Sequence, residues 1–279
     1  MKDPGRLEKE AYREKGKMMV ICGAKGGVGK TALALNLAIA FSKKGKKAAL
    51  WDGDFQFGDI DISMDLQPTF TMTDVVEGIE SLDAFTLESF MTKHDSGVEV
   101  LSSVKTPEYA DLVTPSAISK AGELLLQLYD VVIVDAGTGF NDQSLSFIER
   151  ADEILLVTTP ELASIKSTKL MLDTLGTLEL RDRVKIVVNR STLESSASID
   201  KLVGILRSDM AYAIPDDFAA VSRSLNEGIP LVSKRSKSAA SKAVFKMAAA
   251  IDCGRDSGEN GRKPRKSIFP LGKKRGRAE

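Results

Sequence analysis

Lys30 and Thr31 close a glycine-rich stretch, Gly23-Ala24-Lys25-Gly26-Gly27-Val28-Gly29. These residue types suit one chemistry, the gripping of a polyphosphate. Glycines let backbone N–H groups converge on phosphate oxygens with no Cβ in the way. A lysine placed like Lys30 reaches β- and γ-phosphates, and the Thr31 hydroxyl is a hard oxygen ligand suited to Mg²⁺. The contacts expected of such a loop run through Gly26, Gly27, Val28, Gly29, Lys30, Thr31 and Ala32. The strict spacing asks for a glycine five places before Gly29, where Ala24 stands. The competing reading is an ordinary glycine-rich turn; Gly-Lys-Thr with a strand before it and a helix after it argues against that.

Three carboxylates are candidates to join this loop. Asp135 ends the apolar run Val131-Val132-Ile133-Val134, and a buried strand end would set it beside the metal, through water. Asp52 and Asp54 follow the apolar run Ala48–Trp51, one βαβ unit after the loop. Asp and Gly also make solvated turns, and spacing alone leaves the two readings of Asp52-Gly53-Asp54 even.

The elements that must position these groups alternate in type. Met18–Cys22 reads as a buried strand, and Leu33, Leu37, Ala40 and Phe41 mark one face of the helix after the loop. Lys43-Lys44-Gly45 is a C-terminal cap. Thr114-Pro115 starts a helix that runs to about Leu128, with Thr as N-cap and Pro in the first turn. Ala136-Gly137-Thr138-Gly139, after the Asp135 strand, is a candidate switch loop. Further strands are expected at Val98–Leu101, Glu153–Val157, Val184–Val188 and Ala211–Ile214, with a helix from Glu161 to about Leu178. The pattern predicts an α/β fold: a mostly parallel sheet with helices on both faces.

Composition narrows the alternatives. Hydrophobic residues make up 43% of 279, enough for a large core, and the net charge is zero, so the chain as a whole offers no case for nonspecific nucleic-acid binding. There are two cysteines, Cys22 and Cys253, and one histidine, His94. That leaves no disulfide framework or four-cysteine metal site within one chain, argues against zinc chemistry and Ser-His-Asp catalysis, and points to a reducing cytoplasm. His94 is expected to be a loop or cap residue. No run of 18 apolar residues and no signal-peptide apolar core is present.

Lys25-Gly26-Gly27-Val28-Gly29-Lys30-Thr31 resembles the deviant Walker A motif of the MinD/ParA family of P-loop ATPases. The resemblance implies ATP and Mg²⁺ as ligands and an ATP-sandwiched homodimer in which Lys25 crosses to the ATP of the second subunit. It implies catalytic roles for Lys25 and Lys30 on the phosphates and for Asp54 on the attacking water. Asp52 is then a Mg²⁺-shell or structural carboxylate, and Asp135 a Walker B-like metal group with Thr31. The asparagine that matches Asn189 contacts adenine in that family, so Asn189, with Arg190 and Pro215 beside it, forms the base-binding candidate; a plain strand-end turn stays open there.

Asp54-Phe55-Gln56-Phe57-Gly58-Asp59 is similar to the CpaE/TadZ branch, whose members act in assembly of tight-adherence and related type IV pili. Leu82-Asp83, His94-Asp95-Ser96-Gly97, Leu112–Pro115, Ile214–Asp217 and Asn226–Leu231 add to the likeness, which spans about residues 18–252. Gly137 stands where many members have proline and is similar to the flagellar-number ATPases FlhG/FleN. The function implied is an ATP-switched localisation factor whose slow, partner-stimulated hydrolysis acts as a timer. Its partner would be a pilus or secretion ATPase or a polar scaffold. The alternatives are a flagellar-number ATPase and a ParA-type DNA-partitioning ATPase.

Three segments are expected: a charged linker over 1–17, the ATPase domain over 18–253, and a basic, disordered tail over 254–279. The tail carries nine basic residues against Asp256, Glu259 and Glu279, a charge of +6 that leaves −6 for the remainder. It is either a solubilising tail or an electrostatic contact with anionic lipid or nucleic acid, worth up to ~1 kcal/mol per basic residue at a charged membrane. The expected location is the cytoplasm, at the inner face of the cell membrane where lipid is engaged. CpaE-like proteins often carry an N-terminal receiver-like domain, for which this sequence has no room.

Overall fold

The computed structural model describes residues 15–193, 204–206 and 211–256; the charged stretch up to residue 14 and the basic stretch from 257 lie outside the described residues. The strands are β1 (Lys17–Gly23), β2 (Ala48–Asp52), β3 (Thr92–Lys93), β4 (Glu99–Leu101), β5 (Val131–Thr138), β6 (Glu153–Thr158), β7 (Val184–Val188) and β8 (Ala211–Ala213). The α-helices are α1 (Lys30–Ser42), α2 (Ile60–Ser63), α3 (Met72–Glu77), α4 (Ala84–Phe90), α5 (Pro115–Leu128), α6 (Asp142–Arg150), α7 (Leu162–Thr177), α8 (Phe218–Asn226), α9 (Leu231–Lys234) and α10 (Ala239–Asp256). The strands form one sheet in the order β3-β4-β2-β5-β1-β6-β7-β8. Every pairing is parallel except the short edge pair β3–β4.

Pleating sends alternate residues of β1 to opposite faces, and both faces are covered, which is why the strand is apolar without interruption. Met18, Val20 and Cys22 join one core with Trp51, Ile118 and Leu125 of α5, Phe147 of α6 and Leu172 of α7. Met19 and Ile21 join the other with Leu35 of α1, Ala220 of α8, Val232 of α9 and Met247 of α10. Truncating such a buried aliphatic to alanine costs about 2–5 kcal/mol, so the frame under the loops is stiff.

α1 departs from the one-faced pattern. Leu33 through Phe41 are all buried, because α9 and α10 cover the side away from the sheet. Its one polar member in this run, Asn36, is consumed by backbone: Nδ2 donates to Ala32 O at 2.7 Å and Oδ1 accepts from Val232 N at 2.9 Å. The helix ends where Gly45 takes φ +83. Thr114 caps α5 as the sequence indicates, accepting from Ala117 N at 3.2 Å. β5 runs on to Thr138 rather than stopping at Asp135, because Gly23 of β1 still pairs with Thr138 beyond a register shift. His94 is a loop residue whose Nδ1 lies 2.7 Å from Ser96 Oγ.

β1 lies between β5 and β6, so the chain crosses the sheet in opposite directions on either side of it. The loops after β1, β2, β5, β7 and β8 meet at one edge, where ligands bind in open parallel sheets. Trp51 lies edge-on to Phe147, ring centres 4.8 Å apart at 84°, and Phe147 also meets Phe55 at 6.0 Å. No helix among the described residues is long and apolar enough to cross a membrane.

Candidate functional site

The glycine loop joins the central strand to the N-terminus of α1. Gly27 and Gly29 take φ +72 and +94, conformations that side chains with a Cβ adopt only under strain. A Cβ on Gly29 would stand 2.3 Å from Asn189 Nδ2, so the close approach of the β7 loop also requires glycine there. Asn189 Nδ2 donates to Val28 O at 2.8 Å, and Arg190 Nη2 donates to Gly27 O at 3.3 Å. The loop's carbonyls are therefore tied outward. The N–H groups at the start of α1 and the helix dipole make this end an anion site. Lys30 is 8% exposed, and its Nζ donates to Thr138 Oγ1 at 2.7 Å. Lys25, by contrast, is exposed and makes no ion pair or hydrogen bond with the described residues.

Asp52, the last residue of β2, and Asp135, within β5, are partners in register, and both are 2% exposed. Asp52 is fully engaged by backbone: Oδ1 accepts from Asp54 N and Oδ2 from Ile60 N, each at 3.2 Å. It folds the 53–60 loop back on itself, with Gly58 so close that a Cβ would lie 2.5 Å from Asp52 Oδ2. Burial, then the charge of Asp135, holds its carboxyl well above the ordinary range. Of the two roles open to Asp52, this geometry supports the structural one. Burial pushes the Asp135 carboxyl up to about 6, against a hydrogen bond with Thr31 and the charge of Lys30. Asp135 Oδ1 is buried without a hydrogen-bond partner among the described residues. A carboxylate oxygen left over beside a threonine hydroxyl is a donor set that fits Mg²⁺. That ion is satisfied by one or two protein oxygens when phosphates and water supply the rest. The described residues contain no group of three or more His, Cys, Asp or Glu disposed to bind a metal.

Asp54 lies beside Gly137. Its Oδ1 accepts from Phe57 N at 3.1 Å, and Oδ2 would be 3.2 Å from a Cβ on Gly137. Asp59, to which the sequence reading attached no role, faces the loop: it lines the same cleft as Lys30 and feels its charge, while burial, then Asp54, raises its carboxyl above the usual range. Cys22 is inert; burial lifts its thiol to about 12.

A cleft of about 340 Å³ leads away from Gly29, Lys30 and Thr31 to an apolar recess of Ile214, Pro215, Phe218, Val221 and Leu225. Ala32, Asn189, Arg190 and Pro215 all line it with Gly27, Gly29, Lys30 and Thr31, while Lys25, Gly26, Val28, Asp52, Asp54 and Asp135 do not. Asn189 faces the loop as well as the cleft, fixed from behind by its own N–H on Thr158 O at 2.8 Å. Phe218 carries no sequence signal beyond a helical apolar position.

A parallel sheet whose central strand feeds a glycine loop, Lys-Thr and a helix defines a nucleotide-binding α/β protein of the P-loop class. Residues 19–231 match the CobQ/CobB/MinD/ParA nucleotide binding domain, and the chain belongs to that family. It is similar to the septum site-determining protein MinD of Synechocystis, 26% identical over 246 residues that make up 85% of this chain and 89% of that one. It is also similar to the antiactivator FleN of Pseudomonas aeruginosa, 30% identical over 176 residues, 62% of this chain and 61% of that one. Among solved structures, a ParA family ATPase from Chlorobium tepidum superposes with a TM-score of 0.79 at 25% identity, covering 84% of this chain and 98% of that one.

Proposed function

We propose that this protein is an ATP-hydrolysing switch that dimerises around ATP and positions a pilus or secretion assembly of the CpaE/TadZ kind. The observation that carries the reading is Lys25: a lysine inside a phosphate loop, exposed and unpaired among the described residues, is poised for a second subunit. In this scheme the N–H groups of Gly26–Ala32 and the Lys30 ammonium hold the phosphates. Thr31 and Asp135 hold Mg²⁺, which when bound neutralises charge on the phosphate oxygens. Asp54 orients the attacking water, and the Lys25 ammonium of the second subunit adds positive charge on the phosphates. Asp52 acts indirectly by shaping the loop that carries Asp54. Gly137, near the end of β5 and against Asp54, gives that end of the strand and the loop after it the freedom to respond. The basic stretch over 254–279 supplies contact with an anionic membrane or nucleic acid, at the inner face of the cell membrane in the first case.

A second reading, a flagellar-number or DNA-partitioning ATPase, draws on Gly137. Its φ of +67 is closed to the proline that many family members carry at that point. The similarity to FleN points the same way. The deciding experiment is an affinity pull-down from native lysate with Asp54→Ala in ATP against the same protein in ADP, with and without nuclease. ATP-dependent recovery of a pilus or secretion ATPase supports the first reading. Recovery of nuclease-sensitive DNA with an adaptor, or of flagellar regulators, replaces it with the second.

A further inference from the structure

Phe218 opens α8 with 57% of its surface exposed, although it lines the cleft. The Arg190 guanidinium carbon lies 4.6 Å from the centre of its ring. Arg190 itself holds a left-handed backbone, φ +50, uncommon for a residue with a Cβ. That turn is fixed by Arg190 N donating to Asn189 Oδ1 at 2.9 Å, and the side chain is fixed by Nη2 on Gly27 O. A planar cation is thus pinned between the crown of the phosphate loop and an aromatic face, an arrangement that orients the ring. The neighbouring walls, Ile214, Pro215 and Val221, are apolar.

A half-exposed ring at the apolar end of a cleft, whose other end grips phosphate, suits a flat heterocycle. We infer that Phe218, braced by Arg190, is an aromatic wall of the nucleobase slot, and that it acts on the base while the phosphates are held independently. The inference rests on the nucleoside-triphosphate reading of the cleft. Residues 214–217 approach the same recess, but Phe218 alone among 214–218 offers an aromatic face.

The test compares ATP with tripolyphosphate, which has the phosphates and no base. Both are measured on the full chain by displacement of a fluorescent nucleotide, for the parent, Phe218→Ala and Phe218→Tyr. Removing an aromatic platform weakens base binding by about 5- to 150-fold. Phe218→Ala should lose ATP affinity within that range and keep the parent's affinity for tripolyphosphate. Phe218→Tyr, which retains the ring, should match the parent for both. Equal weakening of the two ligands would mean that Phe218 works through Arg190 on the phosphate loop, and the inference is then wrong. Unchanged ATP affinity overturns it equally. A parent that binds tripolyphosphate but gains nothing from the base overturns it without touching the phosphate site. A parent that binds neither overturns the reading of the cleft itself.

Discussion

Replacing Asp135 by asparagine should stabilise the fold at neutral pH while removing a metal group. The carboxyl is buried within β5 beside Asp52, and its pKa rises from 3.8 to about 6, chiefly through burial. The sign follows directly. The folded state holds the Asp135 proton more tightly than the unfolded chain does, so between these two values the unfolded chain binds fewer protons and stability falls as pH rises. Below about 4 the carboxyl is neutral in both states and carries no penalty. Above about 6 it is charged in both, and the full penalty applies. The shift corresponds to about 3 kcal/mol, to order of magnitude. Urea unfolding in chelator, from pH 4.5 to 8, measures it. The Asp135→Asn protein should exceed the parent at pH 8 by up to about 3 kcal/mol, and the difference should shrink steadily towards pH 4.5. An asparagine variant less stable than the parent at pH 8, or a difference independent of pH, would refute the reasoning. Mg²⁺-dependent nucleotide affinity should move in the opposite direction, falling in the more stable protein.

Two further perturbations probe the loop. Gly29→Ala combines a left-handed backbone, about 1–2 kcal/mol of strain for a residue with a Cβ, with a collision at Asn189 Nδ2. ATP affinity measured by calorimetry should fall well beyond that of Gly27→Ala, whose Cβ meets nothing within 4 Å; equal losses would show that the Asn189 contact is irrelevant. Lys25→Ala should bind ATP as a monomer nearly as well as the parent yet fail to dimerise. Light scattering that finds dimers of this variant at saturating ATP would remove Lys25 from the second subunit's site.

What could be read in the sequence follows the range of the interactions involved. The phosphate loop, the Thr114 cap and the apolar run Val131–Val134 are local: their conformations depend on neighbours a few residues away, so residue type and spacing suffice, whereas the continuation of β5 past Asp135 to Thr138 does not follow from them. Asp59 and Thr138 needed the tertiary structure. Asp59 reaches the Lys30 cleft only because Asp52 binds Ile60 N and turns the intervening loop, and Thr138 meets Lys30 only because β5 continues beside Gly23. The all-round burial of α1 was hidden for the same reason, since the helices that cover its outer side come about 190 residues later in the chain. Asp52 shows the opposite limit. Its spacing marks a charged residue near the site, but only hydrogen bonds distinguish a group that holds a loop from one that holds a metal.

The tryptophan in β2 has a practical consequence. The chain contains only one, Trp51, and its indole touches Phe147 in the helix after the β5 loop, while Phe147 in turn meets Phe55 beside Asp54. The segments carrying Asp54 and Gly137 therefore converge on one buried fluorophore. A shift of either segment that carries Phe147 with it changes the surroundings of the indole. Unlabelled wild-type protein thus contains an optical gauge of its own rearrangement, readable on a stopped-flow timescale before any partner is known.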